Sequence, residues 1–440
     1  MILKRTALTF AIQIGAFLLG LAIAILVTRF TGPGGKGVYT LVGLVAQLAT
    51  MVAALGIGWA SIYYVGSNLQ PLRDVASTVT SASLASSVVA MLIVGLSYVA
   101  LRQSYFRDVS AIQIGIAVVA VPLMQLNVAF GYIVLGTNRP LHFSSLGIAQ
   151  AGTTLALLLV MIAGGRLTPT TALVSWLAGV AASASLGTWL VFSRTPFRLG
   201  FTRSTFRSLL TFGVKGYVAN LIMLLNYRLD ALILNGLAGA ASVGFYSIAV
   251  AMAEAQWYIA NTIGLVLFPH VSASDRREAD RITPIICRNT IFITFLSAIA
   301  MLALGRTLIL ILFGPAMLPA TTALWLLLPG IVTASAAKVI ASYLSGIGKP
   351  IYATYISSSH LILTVILDLT LIPRYGINGA AIASSIVYTS AAAFSIIVFL
   401  RESHNSLAET IFVTAGDVAR YRHMVRTTYA RITSLGAAAS

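Results

Sequence analysis

The sequence predicts an all-α polytopic membrane protein with about twelve transmembrane helices, arranged as two parallel-repeat six-helix bundles around a central cavity. Three observations predict it. Of the 440 residues, 58% are hydrophobic and only 9% charged, against about 45–50% and about 25% in an ordinary soluble protein. The apolar residues gather into runs long enough to cross a bilayer, and short motifs recur at an offset near 207 residues.

Read between Gly, Pro and charged punctuation, the first six runs fall at about 7–28, 38–65, 75–101, 110–135, 142–163 and 169–192. The next six fall at about 209–235, 243–268, 285–305, 319–344, 351–372 and 377–400. Several exceed the roughly 20 residues of a perpendicular crossing, which predicts tilted or bent helices. Lys4 and Arg5 precede a first run that continues to Thr28 and ends in Thr28-Arg29-Phe30, not in a small-residue cleavage site, so it reads as a retained helix. The resulting organisation is a bundle over 1–192, a basic cytoplasmic linker over 193–208, a second bundle over 209–400 and a cytoplasmic amphipathic tail over 401–440. In the linker Arg194, Arg198, Arg203 and Arg207 alternate with Phe197, Phe201 and Phe206, a pattern suited to anionic lipid head groups. In the tail Ile411, Val418, Tyr421, Val425 and Ile432 stand at helical spacing among Arg420, Arg422, Arg426 and Arg431, as in a helix lying on the membrane surface.

An even number of spans places both termini on one side. Eighteen of the 28 Lys and Arg fall on that side and seven on the other, so the positive-inside rule makes both termini cytoplasmic. The same partition divides the net charge of +17 into +11 cytoplasmic, +6 on the far side and zero within the spans. The basic composition therefore mostly records orientation and contact with anionic lipid head groups, and is evidence neither for an anionic cargo nor for a nucleic-acid partner.

The repeat is visible in Gly37-Val38-Tyr39-Thr40, which returns as Gly244-Phe245-Tyr246-Ser247, with Gly32 matched by Gly239 at the same offset of 207. Gly136 to Pro140 returns as Gly346 to Pro350 at an offset of 210. Such agreement indicates tandem duplication. Six spans per copy keep both copies in one orientation, an architecture of transporters that rock one bundle against another.

Several chemistries are missing. One cysteine, Cys287, forms no internal disulfide. Gly34-Gly35-Lys36-Gly37 lacks the spacing of an ATPase phosphate loop, and no H-E-x-x-H motif occurs. On the non-cytoplasmic side Asp108 is the sole acidic residue, poor material for a catalytic carboxylate pair, so the reading is a transporter and not an enzyme.

Arg29-Phe30-Thr31-Gly32-Pro33 through Gly37-Val38-Tyr39 resembles the loop entering the second helix in the polysaccharide-transport (Wzx-type oligosaccharide flippase) family of the multidrug/oligosaccharidyl-lipid/polysaccharide exporter superfamily. Asp230 to Leu234, Gly239, Gly244, Tyr246 and Ala249 are similar to that family's pattern in the second half. So are Phe268-Pro269 with Ser272, Phe313-Gly314, Leu328-Pro329-Gly330 and, most specifically, Ile372-Pro373-Arg374-Tyr375-Gly376-Ile377-Asn378-Gly379-Ala380-Ala381. The resemblance covers about residues 5 to 400. It implies translocation of an undecaprenyl-diphosphate-linked oligosaccharide between leaflets of a bacterial inner membrane, in cell-surface polysaccharide biosynthesis. Membrane lipids, a glycan polymerase and chain-length machinery are the partners it implies. The alternatives are a drug or metabolite antiporter of the same superfamily, an integral-membrane glycan polymerase and a non-transporting scaffold.

An ionisable group at bilayer depth costs at least about 2.5–3.5 kcal/mol and needs a reason. Glu254 lies near the middle of the eighth span, opposite Gln47 in the repeat, and is the candidate for proton or sodium coupling or for pairing with a cation; Asp230 is the second coupling candidate. No resident cofactor is expected. Lys215, Asn220, Asn226 and Arg228 in the seventh span are candidate contacts to a diphosphate or sugar, with snorkelling to the surface the competing reading for both cations. Gln13 and Asn127 are candidate ligands of sugar hydroxyls or, equally, hydrogen bonds between helices. Lys338 is read as snorkelling, Asp368 as interfacial and His360 as a packing residue.

Overall fold

The computed structural model describes the backbone of residues 2–196, 198–414 and 416–417, and side chains from residue 12 on except those of 13, 215, 216 and 219 within these stretches. The described chain forms thirteen α-helices: α1 (Ile2–Ala54), α2 (Ile57–Gly66), α3 (Leu72–Leu101), α4 (Ala111–Gly136), α5 (Pro140–Ala163), α6 (Pro169–Phe192) and α7 (Arg203–Glu254), then α8 (Trp257–Ala273), α9 (Arg276–Phe313), α10 (Ala320–Gly346), α11 (Ile351–Tyr375), α12 (Ile377–Ser403) and α13 (Leu407–Ile411).

Among the described residues ten helices are long and apolar enough to cross a membrane. Two of them account for the difference from the twelve expected spans. Helix α1 is bent at Gly32 (φ 68°, ψ −174°) and α7 at Gly239 (φ 78°, ψ 174°), so each contributes two arms. Only glycine enters such a conformation without steric cost, and these are the two glycines paired by the sequence repeat. The returning arms break again, α1 before α2 at Leu55 and Gly56 and α7 before α8 at Ala255 and Gln256. The end of the molecule at which α1 and α7 bend is called distal below.

Helix starts obey local chemistry. Ser110 and Gln113 form a reciprocal capping box on α4, Thr168 and Thr171 do so on α6, and Pro140 and Pro169 occupy first-turn positions where no amide donor is needed. Positive φ at Gly314 and Gly376 terminates α9 and separates α11 from α12, so these familial glycines are turn elements.

The chain forms two compact units. One comprises Met1–Ile248, Thr307–Thr321 and Val365–Ala380; the other comprises Ala249–Arg306, Thr322–Thr364 and Ala381–Ser440. Within the first, Val75, Val79, Phe130, Ile133, Leu146 and Leu190 pack one apolar cluster, and Leu41, Val42, Tyr98, Phe106, Ala117 and Leu173 another. Within the second, Leu267, Cys287, Val339, Tyr343 and Phe399 interlock, leaving the lone thiol as a buried hydrophobe.

The segment between α6 and α7 is non-helical where described. It is tied to the Ser/Thr-rich start of α3: Ser81 Oγ donates to the Gly200 carbonyl at 3.1 Å, and the Thr202 amide donates to Thr78 Oγ1 at 3.3 Å. Beyond α12 the tail docks on the second unit through a buried ion pair, Arg288 Nε to Asp417 Oδ2 at 2.6 Å. The Arg288 guanidinium holds the Asp417 carboxyl well below the usual carboxylate range. The expected tail positions Val418, Tyr421, Val425 and Ile432 lie outside the described residues.

Candidate functional site

The distal bend brings the two copies of the repeated motif face to face. Gly37 on the returning arm of α1 and Gly244 on that of α7 cross with backbones in contact: a Cβ on Gly37 would stand 1.7 Å from the Ala240 carbonyl oxygen, and one on Gly244 would stand 2.1 Å from that of Pro33. Beside the crossing, Asp108 Oδ2 accepts from the Ala240 amide at 2.9 Å, capping the returning arm of α7 from another segment. Two further bonds fix the α3–α4 loop here, Tyr105 Oη to the Leu232 carbonyl at 3.0 Å and Asn235 Nδ2 to the Tyr105 carbonyl at 2.8 Å. Asp108 is thus a helix cap. Arg29, first residue of the family-like loop, donates through Nε to the Leu312 carbonyl at 2.8 Å and through its guanidinium to that of Ile311, satisfying carbonyls at the end of α9.

Below the crossing lies an acidic pair. Asp230 of α7 is 2% exposed and Asp368 of α11 is fully buried. Asp230 is the charged group that acts on Asp368. The Tyr246 hydroxyl and the Ala231 amide both donate to Asp230. Among the described residues neither Asp368 oxygen has a hydrogen-bond partner. An unsatisfied buried carboxyl is costly, and a second buried carboxyl acting on it favours a proton or a cation at the site. The place of Asp368 near a helix end suggested an interfacial position with access to water, whereas the part of α11 that belongs to the first unit, from Val365 on, buries Asp368 completely. Tyr246 was legible as a motif residue but not as a partner of Asp230.

A second polar group lies in the other unit. The Lys338 ammonium of α10 stands 4.3 Å from the centroid of the Trp257 ring, and Glu254 acts on it electrostatically. Lys338 thus turns inward to an aromatic face and an acid, which corrects the snorkelling expectation. The neighbouring Gln256 is 4% exposed, and both its side-chain polar atoms lack partners among the described residues. The Tyr388 ring meets Trp257 edge-on at 5.3 Å.

The remaining candidates are dispersed. Asn127 bridges helices, accepting from Ser183 Oγ at 2.9 Å and donating toward Gln150 Oε1 at 3.5 Å. Asn220, Asn226 and Arg228 are half-buried along α7, and Arg228 Nη1 donates to the Tyr227 carbonyl at 3.2 Å. The side chains of Gln13 and Lys215 lie outside the described residues. His360 packs edge-on to Phe394 with its Nδ1 against the Ile356 carbonyl. Among the described residues no group of three or more His, Cys, Asp or Glu could hold a metal ion.

A family model described as "Polysaccharide biosynthesis protein" matches residues 26–322. An uncharacterized membrane protein of Methanocaldococcus jannaschii is 30% identical over 197 residues, which span 43% of this chain and 38% of that protein. Among solved structures, the lipid II flippase MurJ in an inward closed conformation superposes with a TM-score of 0.74 at 14% identity, over 91% of each chain. An inward-facing multidrug resistance MATE family transporter of the MOP superfamily superposes with a TM-score of 0.64 at 16% identity, over 88% of this chain and 95% of that one. At such identities the likeness is one of fold.

Proposed function

We propose that this chain, which belongs to the polysaccharide biosynthesis protein family, translocates a lipid-diphosphate-linked oligosaccharide across the cytoplasmic membrane by alternating access. The observation that carries the reading is the family match combined with a fold shared, over nine-tenths of the chain, with a protein named as a lipid II flippase. In this reading the lipid tail stays in the bilayer while the polar head crosses, both termini are cytoplasmic, and a glycan polymerase receives the product.

The chain's own groups supply a working scheme. Gly32 and Gly239 are the bends, and the Gly37–Gly244 crossing with the Asp108 cap is the contact that must part for distal opening. Asp230 and Asp368 take up a proton or a sodium ion, whose charge lets the two carboxyls remain together in the closed arrangement. Coupling follows because the ion binds one arrangement of α7 and α11 better than the other. Glu254 and Lys338 neutralise each other within the second unit, so the polar head meets a paired group there and not an isolated charge.

The likeness to a MATE transporter supports a second reading, ion-coupled antiport of a small molecule. One experiment separates the two. Purified protein is reconstituted in liposomes with a fluorescent lipid-diphosphate disaccharide, and transbilayer movement is followed by loss of protection from an external glycosidase. The flippase reading expects protein-dependent movement accelerated by an ion gradient. Movement no faster than in empty liposomes, together with gradient-driven export of a cationic dye, would replace it with antiport.

A further inference from the structure

Lys36 sits one turn past the Gly32 bend, in a stretch whose sequence suggests only a loop base. The structure buries it, with 9% exposure. Among the described residues no acidic side chain lies within ion-pair distance of it, and no hydrogen bond holds its ammonium. Its one recorded neighbour of consequence is the Tyr39 ring, 5.6 Å from Nζ to centroid. A buried ammonium without a counter-charge is a standing cost that an anion would remove.

Lys36 also lines a cavity of about 370 Å³ within the first unit. The cavity is walled by α1, α5 and α6, with Tyr39, Gln150, Thr154 and Trp176 as its other polar or aromatic residues. Among the described residues that line it there is no carboxylate. The Thr154 hydroxyl donates to the Gln150 carbonyl, whereas no described residue accepts from the Gln150 amide nitrogen. Two aromatic rings, an amide and a hydroxyl are the groups that hold a sugar ring, through its C–H face and its hydroxyls. The lone ammonium adds a requirement for negative charge. The volume falls in the range of small-molecule sites.

The repeat sharpens the contrast. Tyr39 corresponds to Tyr246 at the offset of 207, and Ile23, which lines this cavity, corresponds to Asp230. Where the second copy carries its acidic pair, the first copy carries an apolar residue and, nearby, an unpaired cation. The duplicated sites have opposite charge and therefore suit opposite ligands.

We propose that the Lys36 cavity binds an acidic sugar unit, a hexose ring bearing a carboxylate or a phosphate. Lys36 meets the oxyanion, Gln150 and Thr154 meet hydroxyls, and Tyr39 or Trp176 meets the ring face. Its place in a transport cycle rests on the saccharide reading above; its binding chemistry does not. The test is equilibrium binding to the full-length protein in detergent, without translocation, followed by saturation-transfer NMR. The probes are glucuronate, glucose 6-phosphate, neutral glucose and, as competitor, phosphatidylglycerol. One or both acidic sugars should bind at least about tenfold more tightly than glucose, and whichever binds identifies the anion. Lys36→Gln should abolish that preference, Lys36→Arg should keep it, and Gln150→Ala should weaken all sugars while leaving the acidic preference. Melting temperatures control for folding, and Gln150→Ala keeps the test open if Lys36→Gln does not fold. Equal binding of glucose and the acidic sugars, or displacement by phosphatidylglycerol with no sugar binding, would overturn the proposal. Failure of flipping in liposomes with acidic-sugar binding intact would count against the transport reading alone.

Discussion

Gly37 and Gly244, 207 residues apart in sequence, meet backbone to backbone where the returning arms of α1 and α7 cross, each amide nitrogen 3.1 Å from where a Cβ on the other glycine would lie. The obstruction on either side is main-chain carbonyl, which cannot swing aside as a side chain can.

Replacing either glycine by alanine must therefore separate the arms. Gly37→Ala and Gly244→Ala are each expected to destabilise by about 1–3 kcal/mol or more. They should also shift the protein toward a state open at its distal end. Melting temperature and the labelling rate of an Ala240→Cys reporter measure the two effects, and unchanged labelling would remove the crossing from the gating scheme.

The Asp108 cap predicts a smaller, chemically specific effect. Asp108→Ala removes the acceptor for the Ala240 amide and should cost about 0.5–2 kcal/mol. Asp108→Asn retains an acceptor and should recover most of the loss. Equal behaviour of the two variants would mean that charge, not capping, is the contribution.

At the acidic pair, stability and activity should move in opposite directions. Asp368→Asn removes one of two neighbouring buried carboxyls, so the melting temperature should hold or rise. Ion-dependent transport should fall at least about tenfold, which corresponds to about 1.4 kcal/mol of lost coupling. A variant that transports normally while losing stability would make the pair structural.

For Glu254 and Lys338 the expected result is non-additivity. Glu254→Gln or Lys338→Met alone leaves the other half-buried group without the opposite charge that acts on it, whereas the double variant removes both charges. The double variant should be more stable than the sum of the singles by about 1 kcal/mol or more in a thermal unfolding cycle.

The tail predicts pH behaviour. The Asp417 carboxyl is lowered chiefly by its hydrogen bond from Arg288. Its stabilisation is complete above the unfolded carboxyl value of about 4 and is lost only as pH falls through the lower folded value. Residues 404–417 should resist proteolysis equally at pH 8 and pH 5. Asp417→Asn should expose them at both, since breaking a buried pair whose members are 8% and 1% exposed costs about 3 kcal/mol.

Much of the architecture was legible before any coordinates. Apolar runs marked the crossings because a bilayer admits few alternatives to a helix of that length, and the glycines at 32 and 239 were legible as a repeated pair, though not as bends within continuous helices, whose φ only glycine tolerates. The sites were less legible. Asp230 could be singled out as an acid within a span, but its partner Asp368 comes from another helix and looked interfacial by distance along the chain alone. Lys36 stood out only as the base of a Gly-rich stretch without phosphate-loop spacing. Depth counted along one helix says nothing about which neighbour covers a side chain.

The sequence alone determined the membrane class, the approximate spans and the duplication, all set by local hydrophobicity and by motifs a few residues long, whereas the continuous bent helices at Gly32 and Gly239 came from the structure. Tertiary structure decided which charges are paired: Asp230 with Asp368 and Tyr246, Lys338 with Trp257 and Glu254, Asp108 with a helix start, and Lys36 with a cavity in place of an acid. Electrostatic and hydrogen-bond energies at a buried site depend on partners a few ångströms away in space, and in this chain several of those partners come from helices far apart in the sequence.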